Sequence, residues 1–208
     1  MNDLIRAMSV ELQESVLVVP RKTIDEFCVG VFTPDTAPVE KAVLANCAFM
    51  DRGRAEKDYE FKQVIPYVVI RHEDRYLLIW RTARQTEARL HNLYSLGVGG
   101  HINDTDVPAP DSNLILTGMR RELTEEISVE GEQSCNLVGI INDDSTDVSR
   151  VHVGFVFVLR TSTPHYTIME PEKYTAAWKS ADELAGHYDQ MESWAQIVYK
   201  RVIMRAQG

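Results

Sequence analysis

The sequence predicts an α/β/α sandwich: a mixed sheet covered by helices, with an N-terminal α/β extension packed on it. Three observations carry this expectation. Short apolar runs rich in β-branched residues recur between Val64 and Leu159, as strands require. Their order with the other segments is strands, helix, strands, helix, the pattern of a sheet with helices on its faces. Near the C-terminus Met191, Trp194, Ala195, Val198 and Val202 recur at helical spacing, so one helix face is apolar and belongs to the core.

Taken in order, residues 1–60 read as an extension of mixed helix and strand. Val16–Val19 is an apolar run closed by Pro20 and predicts a buried strand, residues 33–38 (TPDTAP) read as a loop, and residues 51–60 (DRGRAEKDYE) read as a polar, exposed stretch. From Phe61 the pattern sharpens into a second unit, 61–208. Val64–Ile70 and Tyr76–Trp80 flank the polar turn His72–Arg75 and predict a hairpin. Residues 93–98 lead to Gly99 and Gly100, and a loop rich in Pro and Asp follows from Asn103 to Ser112. Residues 113–127 read as a helix capped by Asp111 or Ser112. Residues 137–141 and 151–159 predict two more strands around the turn 142–145, and Ser180 with Glu183 forms a capping box that opens the last helical region.

The bulk composition narrows the function classes. With 208 residues, 44% hydrophobic and 25% charged, the chain can build a sizeable core as a globular protein. A formal net charge of -9 disfavours a nucleic-acid polymer as partner. It also means that any phosphate ligand needs local cations to reverse the field. The cysteines Cys28, Cys47 and Cys135 are far apart and lack a C-x-x-C, so buried free thiols in a reducing compartment are expected. The first ten residues lack the apolar core of a signal peptide, and no stretch approaches the roughly 18 apolar residues of a membrane span. The expected location is the cytoplasm, without a membrane partner.

The informative segment is Arg121-Glu122-Leu123-Thr124-Glu125-Glu126. On a helix, Glu122, Glu125 and Glu126 share one face. Their mutual repulsion costs a few tenths of a kcal/mol per exposed pair, and a divalent cation relieves it. Magnesium, a hard ion, takes such oxygen ligands together with waters and substrate phosphates. Arg121 can reach Glu125 one turn on and orient it. Acidic helix faces are also common as solvated surface, so spacing alone does not decide the matter.

The spelling resembles the core of the Nudix box, the signature of the Nudix hydrolases: a Gly, five residues, a Glu, seven residues, then Arg-Glu-apolar-x-Glu-Glu-x-Gly-apolar. The likeness spans about residues 61–205. Gly99-Gly100 follows a predicted strand as the family's leading glycine does, Val129 fills the last apolar position, and Trp178–Leu184 resembles the start of the family's last helix. Three departures stand out. The Gly100-to-Arg121 gap is seven residues longer than the pattern, Asn113 occupies the place of the first box Glu, and Ser128 replaces the box glycine. Extra length in a loop costs little. Asp104, Asp106 or Asp111 are candidates to replace the absent Glu, and Ser128 is expected to strain a turn that prefers Gly by about 1 kcal/mol.

The resemblance implies a Nudix-like sandwich and a phosphoesterase-like pyrophosphohydrolase. Mg²⁺ or Mn²⁺ would be held by Glu122, Glu125 and Glu126 with the carbonyl of Gly100, Arg121 would complete the catalytic set, and the substrate would be a small phosphorylated molecule. Gly99, Gly100, His101 and Arg81 are the expected substrate contacts, and Glu170 and Glu172 are candidate bases. Arg81 and Arg84 could steer an anion although surface charge is their default, His91 is a further polar candidate, and Tyr94 and Trp80 could stack on a base or simply pack. His152 is expected to be a satisfied sheet residue. Two rivals remain: a nucleotide-sensing module without activity, and a diphosphate isomerase, which needs a cysteine in the site. A homodimer is left open.

Overall fold

The computed structural model describes residues 14–82 and 92–207; Arg84 and His91 lie outside them. The first strand, β1 (Ser15–Pro20), runs into α1 (Arg21–Phe27), then β2 (Phe32–Thr33), α2 (Thr36–Asn46), β3 (Ala48–Asp51) and a single-turn α3 (Arg52–Ala55). The hairpin follows as β4 (Phe61–His72) and β5 (Arg75–Arg81), then β6 (Tyr94–Ser95) and the long α4 (Leu114–Glu126). After β7 (Ile127–Val129) and β8 (Gln133–Ile141) come α5 (Asp147–Arg150), β9 (His152–Thr161), β10 (Tyr166–Ile168) and β11 (Tyr174–Ser180). The chain closes through α6 (Ala181–Ala185), α7 (Ser193–Val198) and a π-helical turn, Tyr199–Ile203.

The main sheet has the order β11-β5-β4-β9-β8-β2, with β1 on β4, β3 on β1 and β6 on β5. Its central pair, β4 and β9, is parallel from Gln63↔His152 to His72↔Thr161, whereas the neighbouring pairs are antiparallel. This is the mixed sheet expected. Alternation along β4 explains the two layers. Val64, Val68 and Ile70 face one core with Ile24, Val43, Ile115 and Met119 of the helices. Tyr67 and Val69 face the other, with Leu184, Ala195, Val198 and Ile203. The C-terminal stripe is therefore core, with Ala195 and Val198 fully buried.

Several local expectations are corrected. Of residues 33–38 only Pro34 and Asp35 form a loop: Thr33 ends β2, Asp35 is the N-cap position of α2, and Pro38 lies in its first turn, where its missing N–H would have no partner anyway. α4 is capped by Asn113 instead of Asp111 or Ser112; its side-chain oxygen accepts the Leu116 N–H at 3.0 Å. Residues 51–60 are not uniformly exposed, because α3 buries Ala55 against β1. Ser128 strains nothing: it lies in β7 opposite Thr167, in extended backbone that needs no glycine. Cys28 is buried, but Cys135 is exposed on β8.

One buried charge ties the segment before Phe61 to the sheet. Lys62 on β4 is fully buried, and its ammonium donates to Asp144 at 2.8 Å. Arg21 at the start of α1 meets the other oxygen of Asp144 at 2.9 Å. Burial lowers the Lys62 pKa, and Asp144 partly restores it.

Candidate active site

Helix α4 presents the carboxylates because its apolar residues Ile115 and Met119 are buried in the core and Gly118 lets Ile102 pack directly on its backbone. Glu122 and Glu126 then lean toward Gly100 and Gly99, and Glu125 stands more exposed. Arg121 is the organising cation. It donates to Glu122 at 2.9 Å and to Glu125 at 3.0 Å. The rest of its fork is occupied by Asp106, at 2.8 and 3.0 Å, and by the His101 carbonyl at 2.7 Å. Asp106 also accepts the Asn103 N–H at 2.8 Å, and it is buried. Of the three loop acids proposed for the place of the missing box Glu, Asp106 is thus the one bound to the arginine of the box. The hydrogen bond to Asp106 is the largest contribution that keeps Arg121 firmly charged.

The two glycines are explained by contact. On β4, Val68 exchanges both backbone bonds with Val98, so Pro66, two residues earlier, points its missing N–H to that same side and costs β9 nothing. A Cβ on Gly99, whose φ is +154°, would strike the Pro66 carbonyl. A Cβ on Gly100 would strike the Glu122 carboxylate. The Gly99 N–H donates to Glu126 at 3.2 Å, and the Tyr174 hydroxyl on β11 donates to its other oxygen at 2.6 Å.

These groups open on a cavity of about 830 Å³, within the size range of sites for small organic ligands. Eight carboxylic acids against three Lys or Arg residues line it, so a phosphate entering unaided would be repelled. Burial, reinforced by Glu126 and Glu125, pushes the Glu122 carboxyl up to about 7 despite Arg121. Burial also raises Glu126, against the pull of Arg81, the Tyr174 hydroxyl and the Gly99 N–H. A set of crowded, all-oxygen donors held part-way to protonation suits a hard divalent cation, which would restore the charged form.

The structure brings together Glu122, Glu125, Glu126, Gly99, Gly100, His101 and Arg81 at this cavity, with Arg121 behind the carboxylates. Arg81 is not the surface charge its sequence context suggested. Its side chain is 11% exposed and meets Glu192 at 3.3 Å. Burial works against its charge, but Glu192 and Glu126 more than compensate. Glu170 lines the cavity and pairs with Lys173 at 2.6 Å, whereas Glu172 is exposed and its carbonyl accepts from Thr82. None of the three cysteines lines the cavity, which weighs against the isomerase. Trp80 and Tyr94 lie edge to face, 4.6 Å between ring centroids, away from the carboxylates.

Sequence reasoning did not anticipate Asp106 as the anchor of Arg121, Tyr174, Glu192, or the contribution of the first sixty residues. Glu14, Arg52 and Glu56 all line the cavity. His152 is satisfied as expected, its Nδ1 2.6 Å from the Val148 carbonyl, yet its Nε2 faces His101 Nε2 at 3.4 Å inside the same cavity. Burial, with Arg52, His152 and Arg121 nearby, holds His101 well below the usual histidine range, so it is neutral. No helix among the described residues is long and apolar enough to cross a membrane.

The chain is 35% identical over 199 residues to Protein YmaB of Bacillus subtilis (strain 168), covering 90% of this chain and 97% of that protein. Among solved structures it is similar to Tm1382, assigned to the Nudix hydrolases, at 32% identity and a TM-score of 0.78, covering 92% of this chain and all of the other. The Nudix domain of Shewanella oneidensis NrtR, solved with ADP ribose, shares the fold at 16% identity and a TM-score of 0.51, over 70% of this chain and 86% of that one. No family model matches the chain.

Proposed function

The chain belongs to the Nudix hydrolase family, and from that premise we propose that it is a magnesium-dependent hydrolase cleaving the diphosphate linkage of a nucleoside diphosphate-type or other organic pyrophosphate. One observation carries the reading: three carboxylates from a single helix face, spaced as in the Nudix box, line a strongly acidic cavity large enough for a nucleotide-sized ligand. An anionic substrate is accommodated there only with cations.

Glu122, Glu125, Glu126 and the Gly100 carbonyl would hold magnesium or manganese, which would supply Lewis-acid polarisation of a phosphoryl oxygen and a water of lowered pKa. The chain's own groups do the rest. Arg121, anchored by Asp106, fixes the directions of the Glu122 and Glu125 carboxylates. Tyr174 and the Gly99 N–H do the same for Glu126. The substrate lies along Gly99, Gly100, His101 and Arg81, with Lys173 offering a further cation. Glu170, which lines the cavity, is the candidate proton acceptor for the attacking water. Residues 61–208 form the hydrolase unit, and the preceding segment supplies part of the wall. Three free thiols suit a reducing, cytoplasmic setting.

The test is substitution with fold control. Glu122→Gln and Glu125→Gln should each lower metal-dependent turnover by more than about 100-fold, since losing even a group that only orients a metal ligand costs about 10–100-fold. Their melting temperatures should stay close to that of the unmodified chain. Loss of folding in both would instead make the acid cluster a structural feature. Normal nucleotide binding with no turnover of any substrate by the unmodified chain would favour the sensing module.

A further inference from the structure

We infer that the cavity holds a second metal site, separate from the three carboxylates of α4: one divalent transition metal of zinc type bound by Glu56, His101 and His152. The ligand atoms of these three residues lie within 4.8 Å of one another, the one such Glu/His group found among the described residues. They come from three distant places in the chain: the turn after α3, the segment after Gly100, and the first residue of β9. No local motif accounts for their convergence.

The geometry fits a metal in two independent respects. The first is the orientation of His152. A carbonyl oxygen only accepts, so the 2.6 Å contact to Val148 puts a proton on Nδ1 and makes Nε2 of the neutral ring an unprotonated acceptor turned toward His101 Nε2. A backbone carbonyl holding the outer nitrogen is the usual way that a metal-binding histidine is fixed. The second is the spacing of the pair. The two Nε2 atoms are 3.4 Å apart. Two nitrogens each about 2.0–2.1 Å from a tetrahedral zinc are themselves about 3.3–3.4 Å apart. That spacing is long for an N–H···N hydrogen bond, for which about 3 Å is typical. With metal bound, His101 carries its proton on Nδ1, and both Nε2 lone pairs meet at one point.

Glu56 completes the set, and Arg52 stands behind it, with Nε 4.0 Å from the Glu56 carboxylate. The Arg52 charge is shared with Glu14 at 2.7 Å, so it does not stand against the cation uncompensated. Two histidines and a glutamate are a donor set for borderline ions, unlike the all-oxygen set on α4 that suits magnesium. Three protein ligands also leave the fourth position open. In this cavity that position faces the substrate space and would take a water or an anionic oxygen of the bound molecule. The inference does not depend on the diphosphate reading.

The probe is zinc itself, titrated by equilibrium dialysis into the chelator-stripped full chain carrying Glu122→Gln and Glu125→Gln, which weakens the α4 site. One zinc per chain should remain bound and should raise the melting temperature. Adding His152→Gln or Glu56→Gln to that background should weaken zinc binding by more than about 100-fold and remove the thermal shift. Glu56→Gln leaves the histidine hydrogen bonds untouched, so it decides the matter if His152→Gln fails to fold. Absence of bound zinc at micromolar concentration in the background chain, or an affinity unchanged by Glu56→Gln, would overturn the proposal.

Discussion

Adjacent glycines that face different obstacles should fail in different ways when a methyl group is added. At Gly99 the new Cβ meets the Pro66 carbonyl, a backbone atom of a central strand that cannot swing aside, at a φ of +154°. Backbone strain costs about 1 kcal/mol for a residue other than glycine, and forced displacement of packed atoms costs about 1–3 kcal/mol more. Gly99→Ala should therefore destabilise by about 2–4 kcal/mol, or about 10 °C in melting temperature for a domain of this size at about 2–4 °C per kcal/mol. At Gly100 the obstacle is the tip of the Glu122 side chain, which rotates away cheaply. Gly100→Ala should melt within about 2 °C of the unmodified chain, yet lose about 100-fold in turnover, because a displacement of about 1 Å in a reacting site costs that much. Calorimetry and steady-state kinetics on the two variants read both numbers. If Gly100→Ala keeps full activity, Glu122 is not a group that the reaction uses.

Three further outcomes follow from the same contacts. Asp144→Asn should cost more stability than Lys62→Met, at about 3 kcal/mol against less than about 1.5, because the first leaves a fully buried ammonium without its carboxylate, whereas the second leaves Asp144 half-exposed and still paired with Arg21; urea denaturation gives both values. The Lys62 and Arg21 hydrogen bonds outweigh burial and hold the Asp144 carboxyl below its usual value. Its stabilisation is therefore complete above about pH 4 and fades as pH falls through the lowered value, so Asp144→Asn should show a shallower loss of melting temperature between about pH 4 and 2. Arg121→Lys keeps the charge but cannot serve Asp106, the His101 carbonyl and two glutamates together; manganese affinity, followed by paramagnetic relaxation, should fall about 10–100-fold.

What was legible in the sequence was what lies close together along the chain. The three carboxylates and Arg121 are within six residues, and helical geometry alone puts them on one face. The hairpin and the C-terminal stripe were readable for the same reason. Tyr174, Glu192 and His152 were not, because β11, the start of α7 and β9 reach the cavity only through the order of the sheet. Asp106 was one of three equivalent acids in the loop, and its role depends on a turn closed by the Asn103 N–H. Arg81 read as surface because it follows the strand pattern Tyr76–Trp80, yet its side chain lies largely buried beside Glu192 and over the Tyr174 ring. The polar stretch 51–60 hid its use entirely: Arg52 and Glu56 look like solvated charges until β1 and β3 carry them to the cavity wall.

Metal-dependent hydrolysis is read most directly from a screen of nucleotide sugars, dinucleoside polyphosphates, ADP-ribose, dinucleotide cofactors and modified nucleoside triphosphates, each with magnesium and with excess chelator, on the unmodified chain and on Glu122→Gln. Turnover of at least one class should require the metal and disappear in the variant. Turnover that survives both chelation and the loss of Glu122 would contradict it.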